Sequence, residues 1–385
     1  MRIAFLGSEG VPYPNAFAKI TEEVGSRLVE RGHEVLVYGR RRCAPEDTRY
    51  RGMMRVPLSS WNSKHLDTIT FSFLSTLHLL RSGWADIAHY HGIGPSVLAG
   101  LPALRGMKSV VHIHGLDWQR AKWGRLARRC LRFSEATAVR SPHAAVAVSE
   151  GLKAYLEDRY RRTVYYVPQG VDRPHQRRPE LIDSLGLQPR RYIFFMGRLV
   201  PEKGLHYLLE AYRRLADRRA GPGLPPLVVA GGGAHSDEYV RRVQDSAPAG
   251  VRFLGHVEGQ LKEELLSHAY LYVQPSEMEG LSLALLEAMS YGNAVLVSDI
   301  PENMEAVGEH GVSFRSRDID DLTGKLVELL RDPTGVRAIG ERAREHVLSR
   351  YSWDLVAEQL EAVYQRVLTP TGRAAVVEPE RGPAQ

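Results

Sequence analysis

Two carboxylates, Glu279 and Glu287, bracket the segment Gly280-Leu281-Ser282-Leu283-Ala284-Leu285-Leu286. The segment follows the apolar run Leu271 to Val273 and reads as a loop opening a helix, with Glu279 in the loop and Glu287 further along the helix. A helix start presents free N–H groups that suit a phosphate, and a nearby carboxylate can accept hydrogen bonds from sugar hydroxyls. Spacing alone fits an ordinary amphipathic helix with two surface acids equally well. A second stretch, Gly197-Arg198-Leu199-Val200-Pro201-Glu202-Lys203-Gly204, ends a strand in glycine and sets a cation on each side of a short loop. Arginine offers a planar fork to phosphate oxygens and lysine a compact charge. Together they could neutralise a leaving diphosphate where a metal would otherwise do so; the bland alternative is a solvated basic turn. A third stretch, Val111-His112-Ile113-His114-Gly115-Leu116-Asp117, places His114 at the C-terminal end of an apolar strand, where a ligand in an α/β fold sits.

These residues need a scaffold of strand ends, and the chain supplies one. Short apolar runs alternate with amphipathic stretches from end to end. Ile3 to Leu6, Glu34 to Tyr38, Asp86 to His89, Ser109 to His112, Ala144 to Val148 and Val164 to Val167 read as strands, and Ile20 to Arg31 as a helix. The pattern restarts after Pro168 to Pro189. Strands are expected at Tyr192 to Met196, Pro226 to Ala230, Val251 to Leu254, Leu271 to Val273 and Ala294 to Val297, with a helix over Leu205 to Leu215. Continuous apolar strands separated by helices predict parallel sheets covered on both faces. The fold class is therefore α/β, with two Rossmann-like, doubly wound domains facing across a cleft. The expected boundaries are residues 1–172, a linker at 173–185, a second domain at 186–350, a last helix at 351–368 that returns to the first domain, and a disordered tail at 369–385. Ser352 can cap that last helix, whose apolar stripe is Trp353, Val356, Leu360, Val363 and Val367.

Composition narrows the function classes without choosing one. Of 385 residues, 51 are Lys or Arg and 45 Asp or Glu, so the net charge is +6. That excess suits an anionic substrate, a phospholipid surface or nucleic acid alike. Cys43 and Cys130 are the two cysteines, too few for a disulfide framework or a cysteine metal cage. No secretory leader and no run of about 20 apolar residues is present, so a cytoplasmic location is expected. No nucleic-acid-binding module is recognisable.

Taken jointly and in order, the motifs resemble the retaining family 4 glycosyltransferases of the GT-B fold. The matching pieces are Gly7 to Pro12, Val111 to Asp117, Ala147 to Ser149, Val167 to Asp172, Gly197 to Gly204, Gly255 to Val257, Pro275-Ser276, Glu279 to Glu287 and Tyr351 to Trp353. Val35 to Tyr38 and Gly115 to Trp123 are most similar to bacterial rhamnosyltransferase-like members. The resemblance implies a nucleotide-diphosphate sugar donor (UDP, GDP or dTDP) and a glycan, lipid-linked or small-molecule acceptor, with neither cofactor nor metal. It implies that Arg198 and Lys203 hold the diphosphate and Glu287 the ribose. Glu279, with backbone N–H groups near Ser282 and Leu283, would hold the sugar and distal phosphate. His114 would lie against the sugar, and Val257 and Gly10 would line the donor site. One departure is Pro14-Asn15-Ala16-Phe17-Ala18, where relatives usually carry paired glycines; Asn15 tolerates a positive φ better than most residues, which leaves a similar turn open. A second is Gln169, in place of the usual asparagine.

Other signals point to blander roles. His89-Tyr90-His91 and His112-Ile113-His114 set two histidines each on one face of neighbouring strands, but no cysteine or carboxylate completes a zinc set, so no metal is expected. Asp318-Ile319-Asp320 reads as a helix start. The basic amphipathic segment 120–132 is of the kind that lies on an anionic membrane, though a core helix with a solvated basic face explains it as well. Two competing activities use the same fold: a nucleotide-sugar epimerase, and a nucleotide-sugar-binding protein without turnover.

Overall fold

The computed structural model describes residues 1–13, 15–43, 47–61, 66–119, 123–218, 223–233 and 237–369. One sheet is built from β1 (Arg2–Leu6), β2 (Glu34–Arg40), β3 (Arg49–Tyr50), β4 (Met53–Leu58), β5 (Ile87–His91), β6 (Lys108–Ile113), β7 (Ala144–Ala147) and β8 (Val164–Tyr166). Its order is β3-β4-β2-β1-β5-β6-β7-β8, parallel but for the β3–β4 edge. A second, parallel sheet holds β9 (Ile193–Met196), β10 (Leu227–Ala230), β11 (Val251–Gly255), β12 (Leu271–Gln274), β13 (Ala294–Ser298) and β14 (Val312–Phe314), in the order β11-β10-β9-β12-β13-β14. The helices are α1 (Ala16–Glu30), α2 (Leu66–Ser82), α3 (Arg125–Arg140), α4 (Glu150–Tyr160), α5 (Glu180–Ser184), α6 (Leu205–Arg218), α7 (Asp237–Asp245), α8 (Gly259–His268), α9 (Leu283–Ser290), α10 (Pro301–Val307), α11 (Ile319–Arg331), α12 (Pro333–Arg350) and α13 (Trp353–Leu368). Two doubly wound parallel sheets of this kind are the GT-B architecture.

Alternation of side chains along each strand feeds two cores per sheet. In β1, Ala4 and Leu6 enter a core with Phe71 and Leu79 of α2 and Ala138 and Val139 of α3. Ile3 and Phe5 enter the opposite core with Val24 and Leu28 of α1 and Trp353, Val356, Leu360 and Val363 of α13. Both faces are therefore covered, which explains why the strands are apolar without alternation.

Some elements differ from the sequence reading. Helix α1 starts at Ala16 rather than Ile20, because Asn15 caps it: its Oδ1 accepts the Ala18 amide at 2.8 Å. Asn15 is extended, with φ −143°, so the positive-φ turn that its residue type allows is not the one it adopts. The loop's left-handed positions are Gly7 and Gly10 instead. Helix α2 and strand β4 carry no clear periodic signal and were absent from the expectation. Asp318 does cap α11, accepting the Asp321 amide at 2.9 Å. Of the proposed tail, residues 370–385 lie outside the described residues, as do Arg120 to Lys122 of the basic segment.

Helix α13 belongs by sequence to the second half and by packing to the first. Ser352 caps it through the Leu355 amide, 3.2 Å away. The chain crosses itself there: the Val171 amide donates to the Tyr351 carbonyl at 2.6 Å. A Cβ on Gly170 would come within 2.7 Å of the Trp353 ring, so only glycine fits beneath it. Arg27 of α1 ties both strands of the crossing, reaching Asp172 at 2.6 Å and Asp354 at 2.7 Å. Tyr364 Oη meets His89 Nδ1 at 2.7 Å under β5. Trp353→Ala should therefore destabilise the protein by about 3–5 kcal/mol. Urea unfolding checks this, and an unchanged midpoint would contradict the packing.

Candidate functional site

In an open parallel sheet, ligands bind beyond the strand C-termini where the strand order reverses. In the second sheet that point lies between β9 and β12. The loop after β9 carries Arg198 and Lys203, and the loop after β12 carries Glu279 and Ser282. The loops are joined by the Glu277 amide, which donates to the Glu202 carbonyl at 2.9 Å. Gly204, at φ +69°, lies against the Pro275 carbonyl so closely that a Cβ would collide with it.

The structure brings Lys203 and Glu279 into direct contact. Lys203 Nζ donates to Glu279 Oε1 at 2.6 Å and Oε2 at 2.8 Å. Glu279 Oε1 also accepts from Ser276 Oγ at 2.7 Å and from Gln274 Nε2 at 3.3 Å. A mostly buried carboxylate is tolerable only with such compensation. Arg198, on the same loop, is exposed. Ser282 is the N-cap of α9: its Oγ accepts the Leu285 amide at 3.4 Å and donates to Gln274 Oε1 at 3.0 Å. The hydroxyl is thus engaged within the fold, and what the start of α9 at Leu283 can offer a ligand is backbone. Glu287, one turn on, pairs with Lys262 Nζ of α8 at 2.7 Å. Gly10 and Val257 follow the ends of β1 and β11, and the ion pairs just described run through neither.

Across the cleft, His114 follows β6. The His114 carbonyl lies against Gly280, where a Cβ would collide with it, so the two halves touch beside Glu279. The ring is part of a stack. His114 Nε2 and His91 Nδ1 are 3.1 Å apart, His112 lies parallel to His114 at 4.4 Å, and Phe17 presents its edge at 5.0 Å. His112 Nε2 is 3.0 Å from the Val167 carbonyl, which accepts its proton. One ring nitrogen from each of His89, His91 and His112 lies within 4.8 Å of the others. The two histidine pairs seen in the sequence thus form one column, running from Tyr364 to the cleft. Burial holds all four imidazoles below the usual histidine range, His112 to about 4. They are neutral at pH 7, and His114 Nδ1 has no hydrogen-bond partner among the described residues.

Between the halves lies a pocket of about 120 Å³ bordered by Gly115, Leu116, Tyr155, Glu279, Gly280 and Glu302. Burial raises the Glu302 carboxyl above the usual range, with Glu279 and Glu305 adding to the effect. Glu305 itself accepts the Glu150 amide at 2.9 Å, so the second half caps α4 of the first. Pockets for small ligands start at roughly 300 Å³, so this pocket by itself does not hold a nucleotide-sized ligand. A wider, shallow depression along α7, at Arg241, Arg242 and Asp245, lies on an outer helix face away from the strand ends. Sequence reasoning missed Lys262, Gln274 and Glu302, which no motif marks, and it marked Ser276 as part of the Pro275-Ser276 motif without giving it a role. His91 was visible as part of a histidine pair, but not as the partner of His114.

Comparison with known proteins finds relatives of both halves. Residues 177–346 match the family described as glycosyl transferases group 1, and residues 18–173 match glycosyltransferase family 4. The chain is 33% identical over 175 residues to a glycogen synthase of Mycobacterium tuberculosis, a match covering 45% of this chain and 42% of that protein. It therefore spans less than half of that relative. An alpha-maltose-1-phosphate synthase of Mycolicibacterium smegmatis is 29% identical over 313 residues, covering 74% of this chain and 79% of the relative. Anabaena HepE, solved in complex with UDP-glucose, superposes with a TM-score of 0.77 at 16% identity, over 95% of this chain and all of the other.

The histidine column sets a pH dependence. A histidine whose pKa is depressed by folding binds its proton more readily when unfolded, so stability is full above about 6.5 and declines as pH falls toward about 4. Each histidine contributes roughly 1.4 kcal/mol per pH unit in that window. Unfolding free energies at neutral and mildly acidic pH measure it, and His112→Asn should flatten the slope. A slope equal in wild type and variant would refute a neutral buried column.

Proposed function

This chain belongs to the GT-B glycosyltransferases, and from that premise we propose that it moves a hexose-type sugar from a nucleotide-diphosphate donor to an acceptor hydroxyl with retention of configuration. One observation carries the reading. The Lys203–Glu279 pair sits at the switch point of the second sheet, with His114 facing it across the cleft. That is one cation for a diphosphate, one carboxylate for sugar hydroxyls, and one neutral ring nitrogen without a partner.

Arg198 and Lys203 neutralise the diphosphate as the bond from the anomeric carbon to phosphate oxygen breaks and the electron pair leaves with the phosphate. Lys203 then exchanges part of its contact with Glu279 for a phosphate oxygen, which frees carboxylate lone pairs for the sugar. His114 Nδ1 hydrogen-bonds a sugar hydroxyl. Its depressed basicity keeps it a neutral partner rather than a second cation. Glu287, steadied by Lys262, holds the ribose hydroxyls. The acceptor hydroxyl attacks from the face the phosphate leaves, and its proton passes to the departing phosphate. Because protein cations carry the charge of the leaving group, turnover should persist in excess chelator; loss of activity with rescue by magnesium or manganese would contradict this role for them.

Arg198→Ala and Lys203→Ala should each cost on the order of 2–4 kcal/mol in kcat/KM. Wild-type kinetics in both would remove the clamp. The two glutamates should separate by ligand. Glu287→Gln should weaken binding of free nucleoside diphosphate and of donor alike, by about 1.5–3 kcal/mol. Glu279→Gln should leave nucleoside diphosphate binding intact or tighter, because it releases Lys203, while turnover falls. Calorimetric titration followed by donor kinetics tests this; equal losses for both ligands in both variants would refute the division.

A further inference from the structure

Three neighbouring elements on one face of the first sheet turn large apolar side chains outward. Leu66, Ile69 and Phe73 recur at helical spacing along α2 and are exposed, Ile69 to 63%. The short turns Pro95–Leu98 and Leu101–Arg105 pack beside α2 and add Val97 and Leu104, the latter 77% exposed. Helix α3 packs beside the first of these turns and adds Leu126 at 76% and Phe133 at 68%, seven residues apart and so on one side. The inward sides of α2, α3 and the first turn's edge, at Phe71, Leu79, Ala99, Ala138 and Val139, share a single core. The contacts among these elements put their exposed apolar side chains on neighbouring stretches of one face, and clustered exposed apolar groups mark interaction sites.

Among the described residues of α3, the exposed charges are all basic. Arg125, Arg128, Arg129 and Arg132 of α3 are exposed around Leu126 and Phe133. The acids of the same helices are taken up within the fold. Glu135 is buried and accepts from Trp118 Nε1 at 2.6 Å and Tyr160 Oη at 2.6 Å, and Asp67 is held by Arg40 and Arg42. A second copy of the chain fits poorly, since a twofold contact through α3 would set these arginines against themselves. Apolar side chains flanked by guanidinium groups match the boundary of an anionic bilayer, where the former enter the acyl region and the latter meet headgroup phosphates. The turn Asp117–Gln119 packs on α3, and Leu116 and Gln119 border the pocket, so the α3 end of the surface adjoins the cleft.

We infer that this surface seats the protein on an anionic membrane, with the cleft opening beside the lipid toward an acceptor held there. The docking stands apart from the sugar-transfer reading; the position of the acceptor rests on it. Sedimentation of the full chain with vesicles of phosphatidylcholine alone, and of phosphatidylcholine mixed with phosphatidylglycerol, tests the docking. Binding should require the anionic lipid, weaken with salt, and fall on the order of fivefold for each arginine removed in Arg125→Gln and Arg129→Gln. Phe73→Ser with Phe133→Ser should also release the protein while its thermal melting stays that of wild type, since neither ring is in the core. Failure to bind anionic vesicles, equal binding to both vesicle types, or binding indifferent to these substitutions would overturn the inference. A wild-type dimer abolished by the phenylalanine substitutions would assign the surface to self-association instead. Vesicle binding without sugar transfer to any acceptor would leave the docking standing and remove the transfer reading.

Discussion

The ion pair between Lys203 and Glu279 is the interaction on which the rest of the site depends. It spans the loops after β9 and β12, the two strands at which the second sheet reverses its order. Each partner would be costly to leave alone in so sheltered a place, and breaking a buried pair by removing one member costs more than the pair gains. Ser276 and Gln274 complete the carboxylate's hydrogen bonds, and Gln274 is itself held by Ser282 and by Asn303. The same pair makes the site responsive. On the proposed reading a diphosphate would compete with Glu279 for the lysine, and the carboxylate so released would become an acceptor where a sugar lies.

The first half of the chain is built to present one ring to that pair. His114 stands at the end of β6 on top of three other imidazoles, and the stack is anchored at its far end by Tyr364 of α13. Helix α13, which follows the second sheet in sequence, also supports the histidine at the cleft. Arg27, which holds Asp172 and Asp354 together, fixes the crossing through which both halves are joined. Contacts across the cleft include the His114 carbonyl on Gly280, the start of α4 on Glu305, and Leu283 of α9 packed against the core of the first half.

What the sequence made legible follows from what local patterns can encode. Most strand runs of the two sheets could be read, because parallel strands buried on both faces are continuously apolar and end in glycine or polar turns; β3, β4 and β14, at or beside the sheet edges, were not. Ser352 and its stripe predicted α13, since capping and helical periodicity are local. Helix α2 was not legible because its outer face is apolar as well as its inner one, which erases the period. That defect in the pattern is itself the clue to the exposed surface. Among the site residues, Arg198, Lys203, Glu279, Glu287 and His114 stand in motifs. Their partners Lys262, Gln274 and His91 act only because the topology delivers them, and no spacing marks a lysine on α8 as the neighbour of a glutamate on α9. Asn15 shows the converse. Its residue type was compatible with a left-handed turn, but the first turn of α1 needed a cap, and capping won.

The most direct test of the account is a crystal structure of the protein with a nucleoside diphosphate bound. The account predicts the terminal phosphate within hydrogen-bonding distance of Lys203 Nζ, the ribose against Glu287, and the cleft opened relative to the pocket between Gly115 and Glu302. A nucleotide seated elsewhere, such as along α7, with the Lys203–Glu279 pair undisturbed, would contradict it.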